Sequence, residues 1–343
     1  MSGRAPSLSI EITRECPLSC PGCYAYNDEH LGTGLTLREV RDFKGQQLID
    51  GVMALVDEHR PLHLSIVGGD PMVRLFELEQ LLPKLTARGI HCQIVTSAFR
   101  KIPAEWTANP HISVSVSIDG LQPEHDERRK PATYDRILRN IEGCKITVHC
   151  TVTRQMLARQ GYLQEFMEFW SARPEVEKVW MSLYTPQRGE VSSERLTSSD
   201  RKRVAAELIE LRKRFPKLDM AESLIASYIE PPKSPEDCVF AQSTATISAD
   251  LTTKITPCQF GGNPDCSQCG CIASAGLHAI AQHRLPIGIQ VGTLFAYCDE
   301  SGLAEPIKRS VLEGVARGTV RVRTDSRASP TGARAATNIS RAQ

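Results

Sequence analysis

Six short apolar runs rich in β-branched residues alternate with stretches of helical periodicity along residues 8–183, and this alternation constrains the fold more than any other feature. Strands separated by helices pair side by side in parallel, because each helix carries the chain back across one face of the sheet. The runs are 8–12, 62–67, 91–96, 112–118, 146–152 and 179–183. Thr36-Leu37-Arg38-Glu39 reads as a capping box opening a helix through Val56, in which Gly45 and Gly51 are weak points. Residues 76–85 read as a second helix ended by Gly89, residues 102–109 supply one or two turns, and 134–141 and 163–170 form amphipathic segments. Six strands are too few for a closed eight-stranded barrel. The expected architecture is therefore an α/β partial, TIM-like (β/α)6 barrel.

Beyond Leu183 the character changes. Residues 184–199, rich in Pro, Gly, Ser and Thr, read as a linker, and 200–214 as a charged helix with Val204, Leu208 and Leu211 on one face. Residues 246–248 and 254–256 flank Ala249-Asp250-Leu251 as the arms of a hairpin, and a glycine- and cysteine-rich stretch follows over 258–271. The expected division is a barrel over 1–190, a small cysteine-rich domain over 191–300 and a C-terminal extension over 301–343. The end of that extension is Arg-, Ser-, Ala- and Thr-rich with almost no large apolar side chain, and reads as a disordered tail. With 41 Lys+Arg against 40 Asp+Glu, no global charge favours nucleic acid or an anionic membrane as partner. No stretch approaches the roughly 18 apolar residues of a membrane helix, and the N-terminus lacks the apolar run of a signal peptide. A cytoplasmic location is expected.

Twelve cysteines in a chain without an export signal read as metal ligands or catalytic groups, since the cytosol keeps thiols reduced. Cys92, Cys144 and Cys150, isolated in apolar surroundings, read as small buried hydrophobes, and Cys298 stands apart. Cys16, Cys20 and Cys23 differ, because they form a C-x3-C-x2-C spacing in the loop directly after the first strand. Three thiolates can hold three irons of a cubane cluster and leave the fourth for a small-molecule ligand. A structural zinc site would need a fourth protein ligand.

A cysteine trio after strand one of a βα pattern resembles the radical S-adenosylmethionine (SAM) superfamily. Gly68-Gly69-Asp70-Pro71 follows the second strand, where that family carries Gly-Gly-Glu-Pro and its backbone receives the SAM amino group; two glycines also let a main chain approach a ligand closely. Ser117-Ile118-Asp119-Gly120 resembles the segment that contacts SAM in peptide-modifying members, and Glu124-His125-Asp126 with Arg128 and Arg129 follows the same subgroup. The family's aromatic residue before the third cysteine is replaced by Gly22, so Tyr24 takes the adenine-side role; Thr96-Ser97-Ala98 stands where relatives often have Thr-Asn-Gly. The resemblance implies Tyr24, Gly68, Gly69, Asp70, Pro71, Ser117 and Asp119 as SAM-binding residues and Cys16, Cys20 and Cys23 as cluster ligands.

Cys238 and Cys258 bracket the expected hairpin as cysteines do at the start of the SPASM/twitch extension of these enzymes, with Thr253 at the motif's glycine position. With Cys266, Cys269 and Cys271 they imply one auxiliary [4Fe–4S] cluster, held by Cys238, Cys258, Cys266 and either Cys269 or Cys271. Structural zinc is the alternative, since Cys266-x2-Cys269 is also a zinc-knuckle spacing. The resemblance implies an oxidoreductase or transferase in which SAM chelates the open iron and one electron, from a donor such as flavodoxin or ferredoxin, releases a 5′-deoxyadenosyl radical. The leading substrate class is a peptide or protein. A small molecule or lipid joined through a new carbon–carbon bond is the alternative within the family, and a non-catalytic metal-binding interaction protein the alternative outside it. Tyr184, Gln187 and Arg188, just past strand six, face substrate or belong to the linker.

Overall fold

The computed structural model of the chain describes residues 5–283; Cys298 and the expected tail lie outside the described residues. The six expected strands form as β1 (Ser7–Glu11), β2 (His63–Val67), β3 (His91–Thr96), β4 (Ile112–Ser117), β5 (Ile146–Val152) and β6 (Val176–Leu183). They pair in parallel in sequence order. A seventh strand, β7 (Thr244–Ile247), adds to the free edge of β1, also in parallel, giving the order β6-β5-β4-β3-β2-β1-β7.

That strand contains the first arm of the expected hairpin, which therefore also pairs in the main sheet. The hairpin closes through an antiparallel bridge between Ile247 and Lys254, with Ser248 N donating to Thr253 O at 2.9 Å and Ile255 N to Thr246 O at 2.9 Å. Residues 184–190 are no loose linker. Gln187 bridges Pro264, and Arg188 N donates to Asn263 O at 2.8 Å, so the segment packs on the late glycine-rich stretch.

Ten helices among the described residues connect and cover the strands: α1 (Gly45–His59), α2 (Leu75–Thr86), α3 (Ala104–Ala108), α4 (Glu124–Arg128), α5 (Tyr134–Asn140), α6 (Tyr162–Ala172), α7 (Ser198–Arg214), α8 (Glu222–Ala226), α9 (Val239–Ser243) and α10 (Ile272–Gln282). None is long and apolar enough to cross a membrane. The helix expected from the capping box begins later than its motif. Thr36 N does donate to Glu39 Oε2 at 2.7 Å, but this closes a single turn. Helix α1 starts at Gly45, whose N–H donates to Glu77 Oε1 at 2.7 Å, and Gly51 is the place where Leu251 packs against the helix rather than a break in it.

The two faces of the sheet differ in a way that places the function. Leu8, Ile10, Leu64, Ile66, Ile94, Val114, Val116 and Val148 are buried in one continuous core with the helices. The alternate positions, which strand geometry turns to the opposite face, include Ser9, Ser65, Gln93, Ser115 and His149. A parallel sheet covered by helices on both faces reads as apolar throughout. This one keeps a polar face, with Gln93 Nε2 donating to Ser115 Oγ at 2.9 Å across neighbouring strands.

Candidate functional site

All seven strands are parallel, so their carboxyl ends share one rim, where ligands of open α/β sheets bind. The cysteine loop leaves β1 at this rim and is stitched to its neighbours. Gly69 N donates to Thr13 O at 2.8 Å, Asp70 N to Glu15 O at 2.9 Å, and Ser19 N to Lys130 O at 2.6 Å. Close backbone approach explains the glycine pair: a Cβ on Gly68 would lie 2.6 Å from Thr13 O, and one on Gly69 2.1 Å from Glu15 O. The space those glycines leave is filled first by the chain's own cysteine loop.

Cys16, Cys20 and Cys23 are half-buried on this loop. Burial pushes the Cys16 thiol up to about 12, with further upward pressure from Asp70, Cys20 and Cys23, while Arg129 opposes the burial-driven rise at Cys20. The three thiols thus feel one another. Yet no three His, Cys, Asp or Glu side chains among the described residues converge tightly enough for a single metal ion.

Asp70 is buried and fully used within the chain. Its carboxylate accepts from Thr96 Oγ1 at 2.7 Å, Met72 N at 3.0 Å, Ser97 N at 2.9 Å and Ser97 Oγ at 2.5 Å. Burial nonetheless raises its pKa above the usual carboxylate value. The residue ties the loop after β2 to the end of β3, and Pro71, also buried, continues into a short 3-10 turn. Ala98 follows at φ 52, a left-handed backbone where glycine would be the easier residue.

Asp119, at the end of β4, is the other buried carboxylate. It pairs with Arg128, accepts from Arg129 Nε at 2.7 Å and accepts from Thr151 N at 3.1 Å. Burial pushes its pKa up, but the two guanidinium groups outweigh that and hold it well below the carboxylate range. Helix α4 carries the supporting cast. His125 Nδ1 accepts from Asp119 N at 3.2 Å, and burial drops its pKa to about 4, so the ring is neutral. Arg128 also grips Glu194, at 2.6 Å and 3.0 Å, a partner that no sequence spacing announced. Ser117 lies in register with His149 on β5, whose Nε2 meets Ser182 Oγ at 2.8 Å.

Tyr24 remains partly exposed and packs edge-on against His30 and Phe260, with ring centroids 5.7 Å and 5.3 Å away. His30 Nδ1 lies 2.9 Å from Phe260 O and its Nε2 2.9 Å from Glu11 Oε1, while Ser248 Oγ donates to Glu11 Oε2 at 2.9 Å. Burial pulls the His30 pKa down, but the hydrogen bond and charge of Glu11 together with the Phe260 carbonyl outweigh it, and the net shift is upward. Both ring nitrogens then donate. This network, missed in the sequence because its members are far apart in the chain, joins the two cysteine-bearing regions.

Cys238, Cys258, Cys266, Cys269 and Cys271 all line one pocket, walled by prolines and by Phe240 and Phe260. All six pairs among Cys238, Cys258, Cys266 and Cys269 interact electrostatically, and burial raises Cys258 to about 12 and Cys266 to about 11. Cys271 also interacts with Cys269 and Cys258, and its Sγ accepts from Gln259 Nε2 at 3.2 Å. Gly270 brings this region onto the end of β6: Leu183 N donates to Gly270 O at 2.9 Å, and a Cβ there would lie 2.1 Å from Leu183 O. Tyr184 bonds Glu190, and Gln187 Oε1 accepts from Asn263 N at 2.7 Å, so both serve packing within this region.

Residues 10–159 match the family model described as the Radical SAM superfamily. The fold is similar to that of Streptococcus suis SuiB bound to precursor peptide SuiA, at 16% identity and a TM-score of 0.55, over 82% of this chain and 68% of that one. It is also similar to anSMEcpe solved with bound AdoMet, at 16% identity and a TM-score of 0.54, over 75% of this chain and 77% of that one. The same enzyme with AdoMet and the Cp18Cys peptide matches at 15% identity and a TM-score of 0.53, over 75% and 77%. At such identities the likeness shows the fold. No curated protein matches the chain in sequence.

Proposed function

Residues 10–159 match the Radical SAM superfamily model, and from that match we propose an enzyme that cleaves SAM reductively at Cys16, Cys20 and Cys23 to modify a peptide substrate. The observation that carries the reading is the three-cysteine loop itself, fixed at the carboxyl rim against Gly69 and Asp70 and beside Arg129. When bound, the [4Fe–4S] cluster and SAM supply, after one-electron reduction by a donor such as flavodoxin or ferredoxin, a 5′-deoxyadenosyl radical that takes a hydrogen atom from substrate.

The chain's own residues hold and orient. Cys16, Cys20 and Cys23 supply one thiolate each; the backbone at Gly68 to Pro71, together with Ser117, Asp119 and Tyr24, lines the SAM side. Asp70 and Asp119 act mainly by fixing loops, since both carboxylates are occupied by donors from the chain. The polar sheet face beneath the rim offers hydroxyl and amide groups suited to a peptide's amides. SuiB and anSMEcpe, each solved with a peptide bound, support the peptide class.

The five late cysteines form the auxiliary, twitch-like site. Five thiols lining one pocket suit a [4Fe–4S] cluster, with Cys238, Cys258, Cys266 and Cys269 as its ligands. Anaerobically reconstituted, reduced protein should convert SAM to 5′-deoxyadenosine and methionine, and a short peptide encoded beside its gene should raise that rate and change in mass. S-adenosylhomocysteine as the sole product defeats the radical reading; a lipid or small metabolite changing in place of the peptide defeats the substrate class.

A further inference from the structure

Three arginines of this protein, Arg74 buried and Arg128 and Arg129 about one-fifth exposed, meet two carboxylates or share one. Arg74 pairs with Asp42 and Glu15, while Arg128 and Arg129 share Asp119. Arg201, on α7 and only 5% exposed, has none. No carboxylate among the described residues lies within 4.0 Å of its guanidinium, and the neighbouring Asp265 is engaged by Arg195 at 3.2 Å. Four hydrogen bonds run instead to backbone carbonyls: Nε and Nη2 to Tyr228 O at 3.1 Å and 2.8 Å, Nη1 to Gln268 O at 2.9 Å, and Nη2 to Cys269 O at 2.6 Å. Those bonds engage the guanidinium without giving it a paired carboxylate; Asp265 acts on it only from a distance. A cation taken out of water without a counter-charge is strongly destabilising.

Two of the three carbonyls belong to the Cys266–Gln268 turn and its end at Cys269, on the wall of the five-cysteine cavity. We infer that Arg201 is the counter-charge of an anionic iron–sulfur cluster in that cavity, a positioning residue that raises the cluster's reduction potential. The inference rests on the auxiliary-cluster reading above. Four thiolates around a [4Fe–4S] core give a net negative group, and reduction adds one more negative charge. A fixed buried cation favours the more negative form. The same guanidinium holds the backbone of Gln268 and Cys269, so geometry and charge come from one side chain.

The test is a potentiometric titration of anaerobically reconstituted full-length protein followed by electron paramagnetic resonance, with the Cys16→Ala, Cys20→Ala, Cys23→Ala background used to assign the late-cluster signal. Arg201→Lys keeps the charge and loses the fork; Arg201→Gln keeps hydrogen-bonding capacity and loses the charge. Arg201→Lys should hold about four irons at the wild-type potential. Arg201→Gln should shift the reduction equilibrium about tenfold towards the oxidised form, about 59 mV for one electron, or lose the late cluster altogether. Arg201→Gln at the wild-type potential overturns the inference, and so does Arg201→Lys shifting or losing the cluster, which would make the hydrogen bonds decisive. Wild-type protein with no iron beyond the first cluster defeats the auxiliary-cluster reading instead, and is distinguishable because no variant enters that measurement.

Discussion

The loop at residues 16–23 and the segment at 238–271 both gather thiols at the same rim, yet they are built on opposite principles. Around the first, charged groups crowd in: Arg129 faces Cys20, Asp119 lies behind it, and Asp70 acts on Cys16. Around the second, prolines and phenylalanines wall the pocket, and the hydrogen-bonded cation Arg201 approaches through backbone carbonyls. A site that must admit a zwitterion such as SAM needs polar surroundings and an open side. A site that only holds and passes electrons is better sealed, because a dry, rigid shell excludes water and fixes the potential.

The sharpest way to break this contrast is to remove each thiol set. Cys16→Ala, Cys20→Ala, Cys23→Ala should abolish 5′-deoxyadenosine formation and remove about four of about eight irons; measured iron that does not fall would place the first cluster elsewhere. Next in size, Cys258→Ala should remove about four irons from the late site, whereas Cys271→Ala, whose thiol is turned to Gln259, should keep them. Equal loss in both variants would mean that Cys271 is a ligand.

Charge should matter for stability mainly in the first region. Asp119→Asn leaves Arg128 and Arg129 without their shared carboxylate and should cost about 3–5 kcal/mol, read as a lower urea midpoint. The smallest effect concerns acid. His125 is neutral when folded, with a pKa near 4 against 6.5 for the free side chain, so the unfolded chain takes up a proton first as pH falls. Its contribution is fully present above about pH 6.5 and is lost towards pH 4, on the order of 3 kcal/mol in all. His125→Gln should flatten the dependence of unfolding free energy on pH in that window; an unchanged slope would assign acid sensitivity to other groups.

Local signals made the first region readable from sequence. Strand alternation fixed β1 to β6 within a few residues, and the C-x3-C-x2-C spacing lies inside one loop. What stayed hidden depends on distant partners. Thr244-Ala245-Thr246-Ile247 is too short and half-polar to announce a sheet strand, and only its pairing with β1 makes it one. Glu194 looks like a linker residue until Arg128 closes on it, and His30 looks solitary until Glu11 and Phe260 arrive from opposite ends of the fold. The glycine pair at 68–69 showed a need for close approach without showing to what; Thr13 and Glu15 supply the answer.

The parallel pairing of β7 with β1 also governs the order in which the molecule can be made. A chain emerging from the ribosome presents β1 first, and β2 soon covers one of its edges, but the other edge stays open until residues 244–247 appear. Through most of translation the nascent protein therefore exposes an unpaired strand beside its first thiol loop, a template for wrong pairing with other chains. The segment that finally caps this edge also brings in Cys238 and Cys258 on either side of it. Arrival of the late cysteines and closure of the sheet are thus one event in synthesis.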